Sequence, residues 1–139
     1  MQETRDLSKD TAAYIESKRN WVRNHYTPES ALTYDTLNGK LNLLDVILKS
    51  DWIQKDETEK LQSLGVTFGD AIVQDMNFIW IEVEDEKGTD PALLLPDTTI
   101  ILFPMTMISK RIEKGESVNV YELFDGLKGY INEIKFKAN

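Results

Sequence analysis

The stretch MNFIWIEVEDEKGTDPALLLPDTTIILFP, residues 76–104, decides the fold of this chain. Its first half alternates aromatic or acidic residues with branched aliphatic ones. Because successive side chains of a β-strand point to opposite faces of the sheet, this alternation predicts a strand over residues 78–84. The buried face predicted for this strand consists of Ile79, Ile81 and Val83. The acidic side chains Glu82 and Glu84 are expected to point to water or into a site.

Two further strands are predicted in the same stretch. Gly88 can supply the positive φ of a tight turn after the first strand, and residues 91–95 (PALLL) follow as a short second strand. Pro91 cannot donate to a ladder, so it suits an edge strand or the first residue of a strand. Residues 98–103 (TTIILF) form an apolar, β-branched run that is typical of a strand covered on both faces. Connections this short favour an antiparallel sheet, because a parallel crossover needs about a dozen residues.

Helical patterns lie on both sides of the predicted sheet. Before it we expect three helices, the first over residues 10–26. The chain restarts at residues 27–28 (TP), where threonine can cap a helix and proline can occupy its first position. The second helix is expected to start near Gly39, because glycine weakens a helix interior. Residues 56–59 (DETE) resemble a capping box and predict the start of the third helix.

After the sheet we expect two more helices. The first covers residues 105–114, and the second begins at a capping residue, Asn119. These elements together predict the α+β class: three N-terminal helices, a three-stranded antiparallel sheet and two C-terminal helices. The chain is expected to form a single domain over residues 1–139, with residues 1–9 and 135–139 mobile.

The third predicted helix has an apolar face and a notch. The residues on that face are Leu61, Leu64, Phe68, Ala71 and Ile72. Gly65 and Gly69 lie four residues apart on or near the same face, and residues four apart are neighbours on a helix surface. A neighbouring backbone that approaches closely would explain this notch, and a ligand that passes over it is the alternative.

Composition and charge exclude several functions. The chain of 139 residues carries a net charge of −8, and residues 51–97 alone carry 3 basic and 12 acidic residues. A nucleic-acid binder needs a clustered basic face, so we expect no nucleic acid, whereas an acidic surface suits a basic protein partner. The absence of cysteine excludes disulfides and thiolate metal sites. No apolar run approaches the ~20 residues of a membrane span, and the first residues lack signal-peptide features. These two observations predict no membrane partner and a cytoplasmic location.

Three motifs in the second half of the chain carry a resemblance. They are Leu64-Gly65 with Phe68-Gly69-Asp70, then Trp80, Val83, Asp85, Gly88 and Asp90, then Phe103-Pro104 through Lys110-Arg111. In this order, over about residues 60–128, the chain resembles an uncharacterised family of bacterial domains, one of the domain-of-unknown-function families. The resemblance implies a bacterial origin and no established activity.

Most candidate binding residues are acidic and lie in or near the predicted turn. The carboxylates singled out are Asp70, Glu82, Glu84, Asp85, Glu86 and Asp90. Three or more converging carboxylates could hold Mg²⁺ or Ca²⁺, but their spacing fits no calcium-binding loop, so we expect no metal. Trp80 shares a predicted sheet face with Glu82 and could anchor a protein partner. For Trp80, as for Trp21 and Trp52, we favour a place in the core or at its rim over a role as a cofactor platform.

Two basic residues, Lys110 and Arg111, follow the third predicted strand on the next helix. Either can form an ion pair with an acidic side chain, the candidates being Asp70, Asp85 and Asp90. The same two groups could instead bind an anionic ligand, with Arg111 bidentate. Thr106 and Ser109 add hydroxyl groups near the start of that helix, where the backbone favours anions.

The sequence offers little for catalysis. His25 is the single histidine, and neither a nucleophile elbow nor a phosphate-binding loop is present. We therefore predict a non-catalytic interaction module, without cofactor, whose acidic sheet-and-turn surface binds a basic protein partner. An immunity-type role is one version of this hypothesis. The alternative is a small-molecule or anion-binding domain, with or without catalysis. That domain would be centred on Asp85, Asp90, Lys110 and Arg111, and it requires these side chains to converge in a concave pocket.

Overall fold

The computed structural model describes residues 3–25, 33–50 and 53–138, with side chains up to residue 135. The elements in chain order are β1 (Glu3–Asp6), α1 (Lys9–Arg23), α2 (Leu37–Lys49), α3 (Thr58–Met76), β2 (Ile79–Asp85), β3 (Gly88–Leu94), β4 (Ile101–Leu102), α4 (Met105–Glu113) and α5 (Val120–Ala138). The predicted α+β class, the antiparallel sheet and the five helices are confirmed. The predicted restart at residues 27–28 and the junction residue Trp52 lie outside the described residues.

The sheet has four strands in the order β1-β2-β3-β4, all antiparallel, so the prediction of three strands is wrong. The extra strand, β1, lies inside residues 1–9, which were expected to be mobile. All four of its side chains are exposed, and a strand without an apolar face has no periodic signal. The register pairs Arg5 with Glu82, so opposite charges join β1 to the sheet.

The burial pattern of β2 corrects the predicted core face. Ile81 and Val83 are buried, as predicted, but Ile79 is 45% exposed and Glu82 is buried at 1% exposure. The main core forms on the other face, where Phe78 and Trp80 pack with residues of the helices. Glu82 lies on that helix-covered face, which explains its burial. The predicted exposure of Glu82 to water is therefore wrong.

The two remaining strands also differ from prediction. β3 begins at Gly88, not at residue 91, and Pro91 lies within the strand, opposite Glu82. β4 contains only two residues of the predicted 98–103, because the hydroxyl of Thr98 accepts from the Ile100 N–H at 3.0 Å and forms a local turn. β4 is an edge strand and Phe103, just beyond it, is 40% exposed. Ile101 and Leu102 are half-buried and pack against different apolar clusters, so each face of the strand is covered in part.

Helix α3 is the centre of the packing, and its predicted apolar face is buried. A Cβ at Gly65 would lie 2.5 Å from the Met105 carbonyl oxygen, and one at Gly69 would lie 2.7 Å from the Trp80 ring. Close approach of neighbours explains the notch and brings α4 against α3. The predicted capping box is wrong: Glu57, not Asp56, precedes the helix.

The remaining helix ends follow ordinary capping chemistry. The Thr36 hydroxyl accepts from the Gly39 N–H at 2.9 Å at the start of α2. Asn119 caps α5 as predicted, since its Oδ1 accepts from the N–H groups of Tyr121 and Glu122 at 3.1 and 3.2 Å. α5 continues to Ala138, into the tail that was expected to be mobile. No helix in the described ranges is long and apolar enough to span a bilayer.

Candidate functional site

The Asp70 carboxylate lies at the centre of a polar cluster. Its Oδ1 accepts from Arg19 Nη2 and from Trp80 Nε1, both at 2.9 Å. Its Oδ2 accepts from Arg19 Nε at 2.6 Å and from the Tyr34 hydroxyl. We call Arg19, Tyr34, Asp70 and Trp80 the Asp70 centre. Through one carboxylate, this centre connects four parts of the chain: helix α1, the segment that precedes α2, helix α3 and strand β2.

The ionisation of this centre follows from its contacts. Its hydrogen bonds to Asp70 raise the pKa of Arg19 above its ordinary value. Burial, together with the negative charge of Asp70, raises the pKa of the Tyr34 hydroxyl. Lys40 lies 5.2 Å from the centre of the Tyr34 ring, and burial lowers the pKa of its ammonium group. Both oxygens of Asp70 have two donors each, so this carboxylate has little capacity left for a ligand.

A second cluster holds β1 on the sheet. Glu82 Oε1 accepts from the Ser8 backbone N–H at 2.8 Å, and Oε2 accepts from Arg5 Nε at 2.5 Å. Arg5 Nη1 also donates to Glu84 at 2.7 Å. We call Arg5, Ser8, Glu82 and Glu84 the β1 clasp. The hydrogen bond from Ser8, followed by that from Arg5, lowers the pKa of the Glu82 carboxyl to about 2.

An open cleft of about 570 Å³ lies between α1, β3 and α4. Its polar lining includes Asp10 from α1, Asp90 from β3 and Lys110 from α4, with Thr106 and Gln62. The aromatic residues of the lining are Tyr14 and Phe103, which are 41% and 40% exposed. Two carboxylates, one ammonium group and two rings therefore share one concave surface. We call this the α1–β3–α4 cleft.

The charged groups of the cleft differ from those of the two clusters. Within the described part of the chain, Asp10, Asp90 and Lys110 form no ion pair with any residue. The predicted ion pair between the basic residues of α4 and the acidic turn is thus absent from the described residues. The charged lining has one more acid than base.

A second groove adjoins the cleft. It has a volume of about 470 Å³ and lies between β4 and α4, and it shares Phe103, Thr106 and Lys110 with the cleft. Arg111 and Lys114 belong to this groove and not to the cleft. We call it the β4–α4 groove.

The eight candidate residues thus separate into five groups. Asp70 and Trp80 belong to the Asp70 centre, and Glu82 and Glu84 belong to the β1 clasp. Asp90 and Lys110 line the cleft, and Arg111 lines the groove. Asp85 lies at the hairpin turn, where its Oδ1 accepts from the Lys87 N–H at 2.8 Å.

Several residues of these sites have no clear signal in the sequence. The partners of the predicted carboxylates are Arg5, Arg19 and Tyr34, and the additional cleft residues are Asp10, Tyr14, Gln62 and Phe103. Arg19 and Asp70 are 51 positions apart and Arg5 and Glu82 are 77 apart. Only the tertiary fold reveals such pairs. Among the residues that the structure describes, no group of three potential metal ligands comes together.

Comparison with known proteins identifies the family. The family described as a domain of unknown function (DUF3806) matches residues 40–124, which is more than half of the chain, so the chain belongs to this family. The resemblance to a family of this kind is therefore confirmed. No curated protein matches the chain.

A solved structure supports the fold. The crystal structure of a protein from Bacteroides thetaiotaomicron VPI-5482 at 1.50 Å resolution matches 93% of this chain with a TM-score of 0.80 and 15% sequence identity. The matched region is 48% of that protein, so this chain spans about half of its length. At this identity the likeness shows the fold alone.

Proposed function

We propose that this member of the family is a non-catalytic binding module whose α1–β3–α4 cleft takes a small polar ligand with both an amino group and an acidic group. One observation carries the proposal: Asp10, Asp90 and Lys110 line the same cleft, and within the described ranges none of them has an ion-pair partner. Several carboxylates elsewhere in the described chain have such partners, among them Asp70 and Glu82.

The chemistry of the lining supports this class of ligand. Asp10 and Asp90 can accept hydrogen bonds from an ammonium group, and the half-exposed rings of Tyr14 and Phe103 offer faces for cation–π contact. Lys110 can bind a carboxylate or a phosphate as a point charge. The volume of about 570 Å³ falls within the range typical of small-molecule sites, about 300–1,000 Å³.

The placement of the histidine supports a non-catalytic module. Nδ1 of His25 lies 2.7 Å from the Trp21 carbonyl oxygen of its own helix, and His25 does not line the cleft. The described cleft lining contains neither serine nor histidine. A serine nucleophile paired with a histidine base is therefore missing from this described lining.

A ligand panel with paired variants tests the proposal. Thermal shift and calorimetry would compare amino acids and dipeptides with amines that lack an acid and with acids that lack an amine. We expect binding of at least one zwitterion, weakened about tenfold or more by Asp90→Asn and by Lys110→Met, since hydrogen bonds to charged groups contribute about 1.5–3 kcal/mol.

The matched controls are Asp97→Asn and Lys87→Met, which make the same chemical changes outside the cleft. They should leave the affinity unchanged. The proposal fails if no member of the panel binds, or if the two cleft variants bind as tightly as the parent protein.

A second candidate function is recognition of a basic protein partner by the acidic hairpin turn. The specific observation is that residues 85–90, at the turn end of the β2–β3 hairpin, are all exposed, including Asp85 and Asp90. Glu84 contributes less than the sequence indicated, because Arg5 pairs with it. An immunity-type role remains one version of this candidate.

Salt-dependent capture separates the second candidate from the first. A basic partner should bind at low ionic strength and dissociate as salt rises, and Glu86→Lys should abolish this binding while zwitterion binding in the cleft persists. Recovery of no basic partner at low salt would reject the second candidate.

A further inference from the structure

The outer side of β4 faces no further strand among the residues that the structure describes. β4 is the last strand in the sheet order, and Leu94 pairs with Ile101 in its ladder. The Leu95 N–H donates to the Ile100 carbonyl at 3.1 Å. Hydrogen-bonded and non-hydrogen-bonded pairs alternate in an antiparallel ladder, so the N–H and C=O of Ile101 point away from β3. These two groups can pair with another extended chain.

The β4–α4 groove lies along this free edge. One wall consists of Ile101, Leu102 and the half-exposed Phe103. The other wall is one face of α4, because Met107, Lys110, Arg111 and Lys114 follow helical spacing and all line the groove. The apolar wall formed by the strand therefore faces a row of cations on the helix.

The charge of the groove is opposite to that of the chain. The chain has a net charge of −8, yet three cations line the groove, with Glu116 as its single acid among the described lining residues. In the part of the chain that the structure describes, Lys110, Arg111 and Lys114 have no ion-pair partner. Arg111 Nη1 donates to the Met107 carbonyl at 2.9 Å, which holds its guanidinium along the helix.

We infer that the β4–α4 groove docks an extended acidic peptide segment of a protein partner. The segment adds to β4 as a fifth strand through the N–H and C=O of Ile101. Side chains on one face of a strand recur every ~6.6 Å, and residues four apart on a helix are separated by about 6 Å. Carboxylates at alternate positions of the segment can therefore meet Lys110 and Lys114 in turn. This surface adjoins the cleft and shares Phe103, Thr106 and Lys110 with it, whereas Ile101, Arg111 and Lys114 lie outside the cleft.

The backbone edge distinguishes a peptide from other polyanions. Nucleic acid or a sulfated polysaccharide could use the three cations but could not use the N–H and C=O of Ile101 as a strand does. The acidic turn at residues 85–90 also repels a long polyanion, whereas a short peptide need not reach it.

Fluorescence anisotropy with the full chain tests the inference. The probe is a labelled nine-residue peptide with Glu at every second position and Val between. We expect this peptide to bind. The control peptide has the same sequence but is N-methylated at every second amide, on the side that would pair with β4. N-methylation keeps the charge and removes the N–H donors, so we expect at least tenfold weaker binding. Arg111→Glu combined with Lys114→Glu should weaken binding by a similar factor or more.

Two further variants complete the design. Ile101→Pro removes the outward N–H, which β3 does not use, so the ladder to β3 should survive while peptide binding falls. Lys87→Glu makes the same charge reversal at the far end of the β2–β3 hairpin and should change nothing. Circular dichroism confirms that each variant is folded, and the N-methylated peptide provides a readout that needs no variant.

Three results would overturn the inference. The first is no binding of the unmethylated peptide at millimolar concentration. The second is equal binding of the two peptides, which would mean that charge alone acts. The third is single-stranded DNA of matched charge binding as tightly as the peptide, which would indicate a general anion surface.

Discussion

The Asp70 centre and the α1–β3–α4 cleft both contain a carboxylate that the sequence singles out, yet the two carboxylates have opposite surroundings. Asp70 accepts four hydrogen bonds from Arg19, Tyr34 and Trp80. Asp90 lines an open cleft, and among the described residues it has no ion-pair partner.

The difference shows how to separate structural from binding carboxylates. A buried charge persists only when partners compensate its lost hydration, and the partners of Asp70 come from three other segments of the chain. An exposed charge needs no such compensation, because water supplies it. The carboxylate left without partners at a concave surface is therefore the one available to a ligand.

Removal of the Asp70 carboxylate should have the largest effect on stability. Asp70→Ala leaves Arg19 charged and largely buried, and breaking a buried ion pair typically costs about 3–5 kcal/mol. Tyr34→Phe removes the hydrogen bonds of its hydroxyl with Asp70 and with Thr67 and keeps the ion pair. Its cost should be about 1–3 kcal/mol, a rough value for two hydrogen bonds. Urea denaturation measures both. Equal stability of Asp70→Ala and the parent would show that the centre is not structural.

Substitution of Gly65 in the notch of α3 should have the next largest effect on stability. Gly65→Ala places a methyl group against the Met105 backbone, and overpacking of this kind costs about 1–3 kcal/mol. Gly126→Ala is the matched control on α5, because a Cβ there meets nothing within 4 Å. Since alanine favours helices over glycine, this control should stabilise the protein by about 0.5–1 kcal/mol. Thermal unfolding shows whether each substitution raises or lowers the Tm. Destabilisation by both substitutions would contradict the packing argument.

The β1 clasp should make the stability of the protein depend on pH. The pKa of Glu82 is lowered from 4.5 to about 2 in the folded chain. A carboxyl with a lowered pKa stabilises the fold above its unfolded pKa and loses this contribution as pH falls towards the folded pKa. The Tm should thus fall between pH 4.5 and 2. Glu82→Gln should flatten this fall and lower the Tm at neutral pH, whereas Glu116→Gln, at an exposed site, should change neither.

Substitutions in the cleft should have the smallest effect on stability. Asp90→Asn and Lys110→Met alter exposed groups that have no ion-pair partner among the described residues. Surface substitutions of this kind usually stay within about 0.5 kcal/mol. Urea denaturation should show this small change while ligand affinity falls. A large loss of stability would place these residues with the Asp70 centre as structural groups.

The fold was largely predictable where the pattern was local. The apolar stripe of α3, the Asn119 cap and the β2–β3 hairpin all depend on residues close in sequence, and the structure contains each of them. β1 and the length of β4 were not predictable. β1 is polar and gains its place from the ion pair between Arg5 and Glu82, and β4 is shortened by a hydroxyl turn.

The candidate site was predictable only in part. Asp90 and Lys110, two of the residues singled out from the sequence, line the cleft, whereas Asp85 lies exposed at the hairpin turn and Arg111 lines the groove. The prediction placed Glu82 outside the core because alternation identifies two faces without identifying which one the helices cover. Phe78 and Trp80 lie on the covered face, and Glu82 follows them in the same period.

By itself the sequence determined the α+β class, the antiparallel hairpin, the helix α3 notch and membership in its family, since these depend on periodicity, turn residues and motifs. Only the tertiary structure decided which acidic groups have hydrogen-bond and ion-pair partners. Arg19 reaches Asp70 across 51 positions and Arg5 reaches Glu82 across 77. The energy of a buried charge depends on partners in space, and that information is absent from the local pattern.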